Sequence, residues 1–542
     1  MKYIFTIIVL LTTLLSWGQE DAWVYFTDKP DAAYYLANPL EMLTERALAR
    51  RDTHGIALDE IDVPISDTYV LQIEAATGIT VLAKSKWLNA VHVQGAISSI
   101  GNLSSLDFVS EIVYANSSIG TSLMALPESE YEPVNKWENL STLTDFEYGI
   151  AQNQITMLNA NFLHENDFTG EGMLIAVIDS GFDSVNTMDA FARIRNNGQI
   201  LGTYNFVTGA EDVYLDHYHG TMVLSTIAGY VEGEFVGTAP DADFYLFVSE
   251  NAAIEVVLEE SLWVEAAEEA DRLGVDVINT SLGYSNFDNP NHSHTYADMD
   301  GNTTFISKGA EIACSRGIIV VNSAGNSGGS EWHYITAPAD ATSVLTIGAV
   351  YDNEVITDFS SWGPSADGRV KPDVCAQGGG AAIIPPSGDL TFGNGTSFSS
   401  PIMCGAVTCF WQAFPDLTGE QIRQAIKASA DRFSSPDDQY GYGIPDFEAA
   451  YTTTVGVADI NNVDFELSIY PNPNTSDVLY INRPNTDEKM TISIVDVTGK
   501  IVLQASSQLN NTPIDISNLE RGIYILQLDS KGHQIGRKLV IQ

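Results

Sequence analysis

Nearly continuous apolar runs recur from residue 148 onward, with polar loops and helical patterns between them. The five clearest runs lie at residues 173–180, 243–250, 276–283, 317–326 and 343–350. Runs of this kind are typical of parallel strands that are buried on both faces. The amphipathic stretch 255–274 predicts a helix that ends at a glycine. The pattern therefore predicts an α/β domain over residues 148–455, with a mainly parallel sheet flanked by helices.

The pattern ahead of this domain is of a different kind. Residues 19–120 mix strand signals at 67–75 and 89–95 with a short helix that leads into a strand at 99–115, and they predict a small α+β domain. The polar, acidic stretch 121–147 has few periodic apolar positions, so it predicts an exposed linker.

The pattern after residue 455 changes again, to alternating apolar and polar positions broken by turn residues. Residues 464–542 contain several such strands and turns such as Thr498-Gly499. This stretch predicts a small C-terminal all-β sandwich.

The N-terminus has the features of a signal peptide. Lys2 precedes an apolar run over residues 3–15, and Ser16 and Gly18 supply small residues three positions apart. We predict that residues 1–18 are a signal peptide cut after Gly18. The run is too short to span a membrane comfortably, and no other stretch qualifies. The chain is therefore predicted to be secreted or placed at the cell surface, with no transmembrane helix.

The net charge of −46 disfavours nucleic-acid binding, because a phosphate backbone needs a basic surface. Residues 464–542 hold 7 Lys and Arg against 9 Asp and Glu, so a charge of −44 belongs to the rest of the chain. This acidity favours either attraction of basic substrates or cations, or a solubility adaptation, and we favour solubility.

Four cysteines in 542 residues, with no CxxC pair, make a zinc ribbon improbable on spacing alone. The favoured interpretation is buried free thiols, with one disulfide as the alternative in an exported chain. The four are Cys314, Cys375, Cys404 and Cys409.

Three short segments carry the residue types of nucleophilic acyl transfer. They are VIDSGFD at 177–183, HGT at 219–221 and GTSFSSP at 395–401. Such a reaction needs a hydroxyl nucleophile, an imidazole base and a carboxylate that orients the imidazole. The carboxylate, the imidazole and the hydroxyl are supplied by Asp179, His219 and Ser397. This order along the chain differs from the orders found in chymotrypsin and in the α/β-hydrolases.

With these segments, the chain over roughly 148–450 resembles the subtilases. The resemblance also includes YGIAQNQI at 148–155, SLG at 281–283, SAGN at 323–326 and KPDV at 371–374. It implies a subtilisin-like catalytic domain over 148–455 and a propeptide over 19–120. It also implies a zymogen that is cut between residues 115 and 147.

The resemblance also implies roles for site residues. Asn326 and the Ser397 N–H would form the oxyanion hole. The Ser281-Leu282-Gly283 backbone would pair with the substrate, and this segment with Ala324 and Gly325 would wall the pocket before the scissile bond. Two departures from the family pattern are Met222, where a second histidine is usual, and the larger Phe398 after the serine.

The C-terminal stretch resembles the sorting domain of the type IX secretion system. The resemblance lies in YPNPN at 470–474, VTGK at 497–500 and the terminal KLVIQ. It implies export by that secretion machinery as a partner. A carbohydrate-binding or adhesive sandwich is the alternative interpretation.

An insertion at 284–308 holds candidate metal ligands. His292 and His294 could bind a metal, although a solvated loop is favoured. The Asp298, Asp300 and Asn302 spacing resembles the start of a calcium loop but lacks the rest of an EF-hand. No cofactor is expected for the chemistry, a structural calcium ion is possible as in many subtilases, and its ligands are unknown.

Taken together, the sequence predicts a secreted serine endopeptidase that hydrolyses protein and peptide substrates through an acyl-enzyme on Ser397. The alternative is a catalytically inactive subtilase fold used for binding or adhesion. Peptide ligation through the same acyl-enzyme is a third interpretation.

Overall fold

The structure is a computed structural model of the 542-residue chain. It describes residues 18–119 and 146–461 and, further on, residues 468–470, 474, 478–482, 490–495, 500–507, 513–519, 521–530 and 533–541. The chain divides into two compact units, Met1–Ala450 and Tyr451–Gln542, each treated by itself below. The predicted signal peptide, apart from Gly18, and the predicted linker from 121 to 145 lie outside the described residues.

The N-terminal segment of the larger unit is an antiparallel sheet with short helices, ordered β2-β3-β1-β4. Its strands are β1 (Gln19–Phe26), β2 (Ile79–Ser85), β3 (Ala90–Ala96) and β4 (Val109–Tyr114). Its helices are α1 (Ala32–Ala37), α2 (Glu45–Thr53), α3 (Asp67–Glu74) and α4 (Ile97–Asn102). The predicted small α+β domain is confirmed, as are the strand at 89–95 and the helix and strand at 99–115.

The strand predicted at 67–75 is wrong, because these residues form helix α3. Val70 and Ile73 are buried, whereas Leu71 is exposed. Apolar residues three positions apart lie on one face of a helix, and a strand would bury every second residue instead. The short run satisfies both patterns loosely, and packing against the sheet decides in favour of the helix.

The rest of the larger unit is built on a seven-stranded parallel sheet. Its strands and short hairpins are β5 (Leu174–Asp179), β6 (Ile200–Asn205), β7 (Tyr230–Val231), β8 (Phe235–Val236), β9 (Asp243–Val248), β10 (Val277–Thr280), β11 (Ile319–Ser323), β12 (Leu345–Val350), β13 (Val374–Gln377), β14 (Ala381–Ile383) and β15 (Thr391–Gly393). The large sheet has the order β13-β12-β11-β10-β5-β9-β6, and every neighbouring pair in it is parallel.

Helices cover this sheet, as the sequence predicts. They are α5 (Gln152–Thr156), α6 (Asn161–Glu165), α7 (Ala192–Asn196), α8 (His219–Ala228), α9 (Leu258–Leu273), α10 (Phe305–Ser315), α11 (Thr396–Ala413), α12 (Gly419–Ser429) and α13 (Phe447–Asn461). Strands β5, β10, β11, β12 and β13 are buried at every position, which explains their continuous apolar runs. The predicted α/β domain with a mainly parallel sheet flanked by helices is confirmed.

Helix α9 ends where its sequence predicts, at Gly274. This residue has φ +84°, a left-handed conformation that glycine adopts without steric cost. A Cβ at this position would lie 2.7 Å from the Ala47 backbone nitrogen of the N-terminal segment. Glycine therefore both ends the helix and allows the N-terminal segment to approach it.

The N-terminal segment packs on helices α9 and α10 through buried aromatic and polar contacts. The Trp23 ring stacks on the Phe305 ring with centroids 5.1 Å apart, and the Trp23 indole N–H donates to Ser261 Oγ at 2.9 Å. The buried Glu268 carboxylate accepts from the Trp87 N–H at 3.0 Å. The two parts of the larger unit thus share one apolar core.

The smaller unit consists of two antiparallel sheets. Its strands are β16 (Ser468–Tyr470), β17 (Val478–Asn482), β18 (Met490–Val495), β19 (Ile501–Ser507), β20 (Ile514–Asp515), β21 (Gly522–Ser530) and β22 (His533–Ile541). The sheets have the orders β16-β17-β20 and β19-β18-β21-β22. Leu479, Ile492, Leu526 and Leu539 are buried in its core. The predicted C-terminal all-β domain is confirmed.

All four cysteines are free thiols, so the disulfide alternative is wrong. The favoured interpretation of buried thiols is confirmed for Cys375, Cys404 and Cys409, whereas Cys314 is only partly buried. Across the described residues, none of the helices combines the length and the apolar character needed to cross a membrane.

Candidate active site

The ends of parallel strands bring the predicted site residues together. Asp179 is the last residue of β5, and Asn326 follows the end of β11. His219 is the first residue of α8, and Ser397 is the second residue of α11. The carboxyl edge of a parallel sheet is where open α/β domains place their ligands.

Asp179 and His219 form a directed pair. The Asp179 Oδ1 atom lies 2.8 Å from His219 Nδ1, and the Asp179 side chain is fully buried. The same oxygen accepts the Ser180 backbone N–H at 2.7 Å, which fixes the carboxylate. Burial by itself would lower the pKa of His219, but the Asp179 carboxylate outweighs burial and the pKa is raised above 6.5.

Ser397 lies in the first turn of α11, where backbone N–H groups have no partner within the helix. Pro401 stands four residues later and has no N–H to donate to the Ser397 carbonyl. The Ser281 hydroxyl replaces this missing donor at 3.0 Å, and Ser397 Oγ lies 3.5 Å from the Ser281 carbonyl oxygen. Ser281 therefore fixes the backbone of the serine turn.

Asn326 is held by its carbonyl oxygen. Its Oδ1 atom accepts the Thr396 backbone N–H at 2.8 Å and the Thr396 hydroxyl at 3.0 Å. The Nδ2 amide is then the group free to donate to a ligand. Asn326 and Ser397 line the same cavity, so the two predicted oxyanion donors lie on one wall.

The cavity has a volume of about 430 Å³ and contains most of the predicted site residues. Those that line it are His219, Ser281, Leu282, Gly283, Gly325, Asn326 and Ser397. Asp179 lies behind His219, outside the lining. Ala324 is also outside it: this residue is fully buried and its N–H donates to the Ile347 carbonyl at 3.0 Å.

Nine further residues line the cavity and were not predicted as site residues, among them His217, Glu250, Glu255 and Thr336. Glu250 follows the C-terminal end of β9, so the strand-end argument that located Asp179 could have found it. The Ser180 hydroxyl lies 3.1 Å from His217 Nδ1. No sequence pattern marks Thr336 as a site residue, because its place in the cavity depends on how the loop after β11 folds.

The two departures from the family pattern have simple structural explanations. Phe398 is 5% exposed and its ring centroid lies 6.4 Å from that of His219, so the larger side chain packs beside the imidazole. The Met222 N–H lies in helix α8 and donates to the Tyr218 carbonyl at 3.4 Å. Neither residue interrupts the Asp179–His219 pair.

The histidines of the insertion are not in a solvated loop, so that interpretation is wrong. His292 is 7% exposed, and its Nε2 atom lies 2.6 Å from Glu20 Oε1 of the N-terminal segment. His294 pairs with the buried Glu260 carboxylate. Each histidine has a carboxylate partner, and this pairing accounts for both side chains without a metal.

The aspartates whose spacing resembles a calcium loop close local turns. Asp298 Oδ2 accepts the Thr295 N–H at 2.6 Å, and Asp300 Oδ1 accepts the Asn302 and Thr303 N–H groups at 2.8 Å. These side chains do not fit a calcium loop, because the carboxylates serve separate turns. Across the described ranges, no three His, Cys, Asp or Glu side chains are grouped to hold a metal ion. A calcium ion bound elsewhere stays a prediction.

Three family models match this chain. The subtilase family model matches residues 170–443, and a model of the peptidase S8 propeptide domain of Bacteroidota matches residues 21–130. A model of the secretion system C-terminal sorting domain matches residues 468–542. The resemblance predicted from the motifs is confirmed in all three parts.

Individual proteins are similar over the same part of the chain. Subtilisin DY of Bacillus licheniformis is 29% identical over 298 residues, which is 55% of this chain and 97% of that protein. Subtilisin E of Bacillus subtilis (strain 168) is 30% identical over 311 residues, or 56% and 70% of the two chains. A crystal structure of MycP1 with the N-terminal propeptide removed is 25% identical, has a TM-score of 0.45 and covers 56% of this chain and 96% of that one.

Proposed function

The chain belongs to the subtilase family, and from that premise we propose that it is a secreted serine endopeptidase made as a zymogen. The observation that carries the proposal is the 2.8 Å Asp179–His219 contact, with His219 and Ser397 lining one cavity. These are the residue types that acyl transfer to a serine requires, and the Asp179–His219 pair has the arrangement that orients an imidazole base.

The reaction proceeds in two halves. Ser397 Oγ attacks the scissile carbonyl carbon while His219 Nε2 takes its proton, and Asp179 stabilises the imidazolium. The tetrahedral intermediate collapses when His219 protonates the leaving amine, which leaves the acyl group on Ser397. Water then attacks the acyl-enzyme, again with His219 as base, and releases the acid product.

The developing oxyanion is stabilised by two donors. The Asn326 Nδ2 group and the Ser397 backbone N–H would point at the carbonyl oxygen as it gains charge. The first turn of helix α11 adds the positive end of its dipole. Loss of one such side-chain donor costs on the order of 10²–10³ in kcat in subtilisin, the example from which this magnitude is taken.

The substrate backbone would lie along residues 281–283 as an added strand. Gly283 leaves room on this path, because a Cβ there would lie 2.1 Å from Thr336 Oγ1. The reaction uses only side chains and backbone groups of the chain, and we propose that it needs no cofactor.

The N-terminal segment acts as the propeptide. It covers helix α9 with aromatic and charged contacts, and Arg50 and Arg51 are buried against Asp271 of that helix. Maturation would cut the chain between residues 115 and 147. The sorting domain supports export through the type IX secretion system, after residues 1–18 direct the chain across the inner membrane.

Intact mass and casein hydrolysis test this proposal on the purified full chain and on Ser397→Ala. We expect the wild type to lose its N-terminal segment and digest casein, while Ser397→Ala keeps its full mass and digests nothing. Equal masses and no cleavage by either protein, even after incubation with trypsin to cut the linker, would favour the inactive binding or adhesion protein. Added glycinamide distinguishes ligation from hydrolysis, because a ligase would release amidated products.

A further inference from the structure

Two carboxylates lie in the active-site cavity without a described catalytic role. Glu250 and Glu255 line the cavity that contains Ser397 and His219. Glu250 also lines an adjoining hollow of about 440 Å³, together with Ser180 and other residues that both spaces share. The two spaces form one groove that passes beside His219, with Glu250 at their junction.

Among the residues that line the two spaces, only His217 and His219 can become cationic. Neither space has a lysine or arginine in its lining. Asp216 adds a further acidic group at the far end, where it accepts the Asn205 amide at 2.9 Å. Within the described residues, no hydrogen-bond donor contacts the Glu250 side chain. The groove therefore presents to its occupant carboxyl groups that have no lysine or arginine partner in its lining.

The loop that carries both glutamates is fixed by two carboxylates, one of which is buried. The Glu259 carboxylate is 1% exposed and accepts the Asn251 N–H at 2.8 Å and the Val256 N–H at 3.1 Å. Asp288 accepts the Glu255 N–H at 3.2 Å. A loop held in this way presents its side chains in a defined position before a ligand binds.

The carboxyls lack a lysine or arginine counter-charge in the lining of the two spaces. Burial, with the charges of Asp179 and Glu259, raises the pKa of Glu250 to about 8. Burial and Asp288 raise the pKa of Glu255 to about 7. A cation placed between these groups would favour their ionised forms and would itself be held by them.

A buried hydroxyl belongs to the wall of the same cavity. The Thr336 hydroxyl is 6% exposed and has no hydrogen-bond partner within the described structure. It lies between Gly283 and Gly325, and Thr336 lines the same cavity as Glu250. A buried hydroxyl without a partner is costly unless a ligand or water completes it.

We propose that Glu250, supported by Glu255, binds a lysine or arginine side chain of the substrate, two residues before the scissile bond. This deepens the proposed peptidase function and rests on it. The residue before the scissile bond would occupy the side of the cavity lined by Gly283, Gly325 and Thr336. The preceding residue then lies beside His219, where Glu250 can contact its basic group.

Three fluorogenic peptides that differ only at the second residue before the cleaved bond test the proposal. They carry lysine, norleucine or glutamate, so that the lysine and norleucine side chains match in length. We expect kcat/KM of the mature wild type to be about 10–100-fold higher for lysine than for norleucine, the range for a charged hydrogen bond. We expect Glu250→Gln to bring the ratio close to one and Glu250→Lys to favour the glutamate peptide.

The control is Glu171→Gln, which removes an exposed carboxylate outside both spaces and should leave the lysine preference unchanged. If the wild type cleaves all three peptides at similar rates, the subsite proposal fails while the peptidase stands. If the wild type cleaves none of them and no casein, the peptidase proposal itself fails. A lysine preference that survives Glu250→Gln would assign the subsite to other residues and overturn the role of Glu250.

Discussion

Arg51 of the N-terminal segment and Asp271 of helix α9 form a buried, two-contact ion pair. The Arg51 Nη2 atom lies 3.0 Å and 2.9 Å from the two Asp271 carboxylate oxygens, and the side chains are 2% and 0% exposed. Arg51 also contacts Asp62 of its own segment at 2.9 Å. This pair joins the propeptide to the catalytic domain where neither charge reaches water.

Replacing Arg51 should weaken propeptide docking far more than replacing a nearby exposed arginine. Arg51→Met leaves Asp271 buried beside fewer cations, and breaking such a pair costs about 3–5 kcal/mol. Arg46 pairs with Asp276 at 2.5 Å, but its side chain is 44% exposed, so Arg46→Met should cost about 0–1 kcal/mol. Urea unfolding of both variants in a Ser397→Ala background measures the difference. Equal effects would contradict a dominant role for the buried pair.

The pH dependence of catalysis should show an acidic limb above the usual histidine value. The pKa of His219 is raised above 6.5 because the Asp179 carboxylate outweighs burial. The reaction needs the neutral imidazole, so activity is lost as pH falls through this raised pKa. The measurement is kcat/KM of the mature protein between pH 4.5 and 8. A midpoint at or below 6.5 would contradict the effect of Asp179.

Glu250 should lower stability at alkaline pH. Its pKa is raised to about 8 in the folded state, so folding favours the neutral carboxyl. The stability that this neutral form contributes is complete below the ordinary pKa of 4.5 and is lost as pH rises through about 8. Glu250→Gln should therefore raise Tm at pH 9 and have little effect at pH 5, measured in a Ser397→Ala background. A similar change at both pH values would indicate a packing effect instead.

The cysteines should be unreactive in the folded protein. Cys375, Cys404 and Cys409 are fully buried, and burial raises the pKa of each thiol. Burial also raises the pKa of Cys314 to about 12. A thiol reagent at pH 8 should label fewer than one group per native chain, and in unreduced guanidinium it should label all four. Two labelled groups in the denatured, unreduced protein would show a disulfide.

The sequence predicted best those parts of the molecule in which the pattern of apolar and polar residues along the chain is clear. The strand that ends at Asp179 is apolar at nearly every position because both faces are covered, and the position of Asp179 at its end follows directly. The error at 67–75 arose in a short segment where the helix and strand patterns overlap. Thr336 could not be assigned from local pattern, because its place in the cavity depends on loops brought together by folding, whereas Glu250 follows a strand end and could have been found there.

The roles of Ser281 and Pro401 are also coupled across a long distance in the sequence. Their coupling predicts an effect on stability that neither residue would reveal when changed alone. Ser281 Oγ donates to the Ser397 carbonyl at 3.0 Å, in place of the N–H that Pro401 lacks. Ser281→Ala leaves this buried carbonyl without a donor, which should cost about 1–3 kcal/mol. The same change should lower kcat, because the serine turn loses its support.

A double-mutant cycle isolates this contact. Pro401→Ala restores an N–H that can reach the Ser397 carbonyl in the normal helical pattern. In the Pro401→Ala background, Ser281→Ala should therefore cost less than in the wild-type chain, with a coupling of about 0.5 kcal/mol or more. Unfolding free energies of the four proteins, all carrying Ser397→Ala, measure the coupling. If the two costs were equal, the Ser281 hydroxyl would not be substituting for the donor that proline removes.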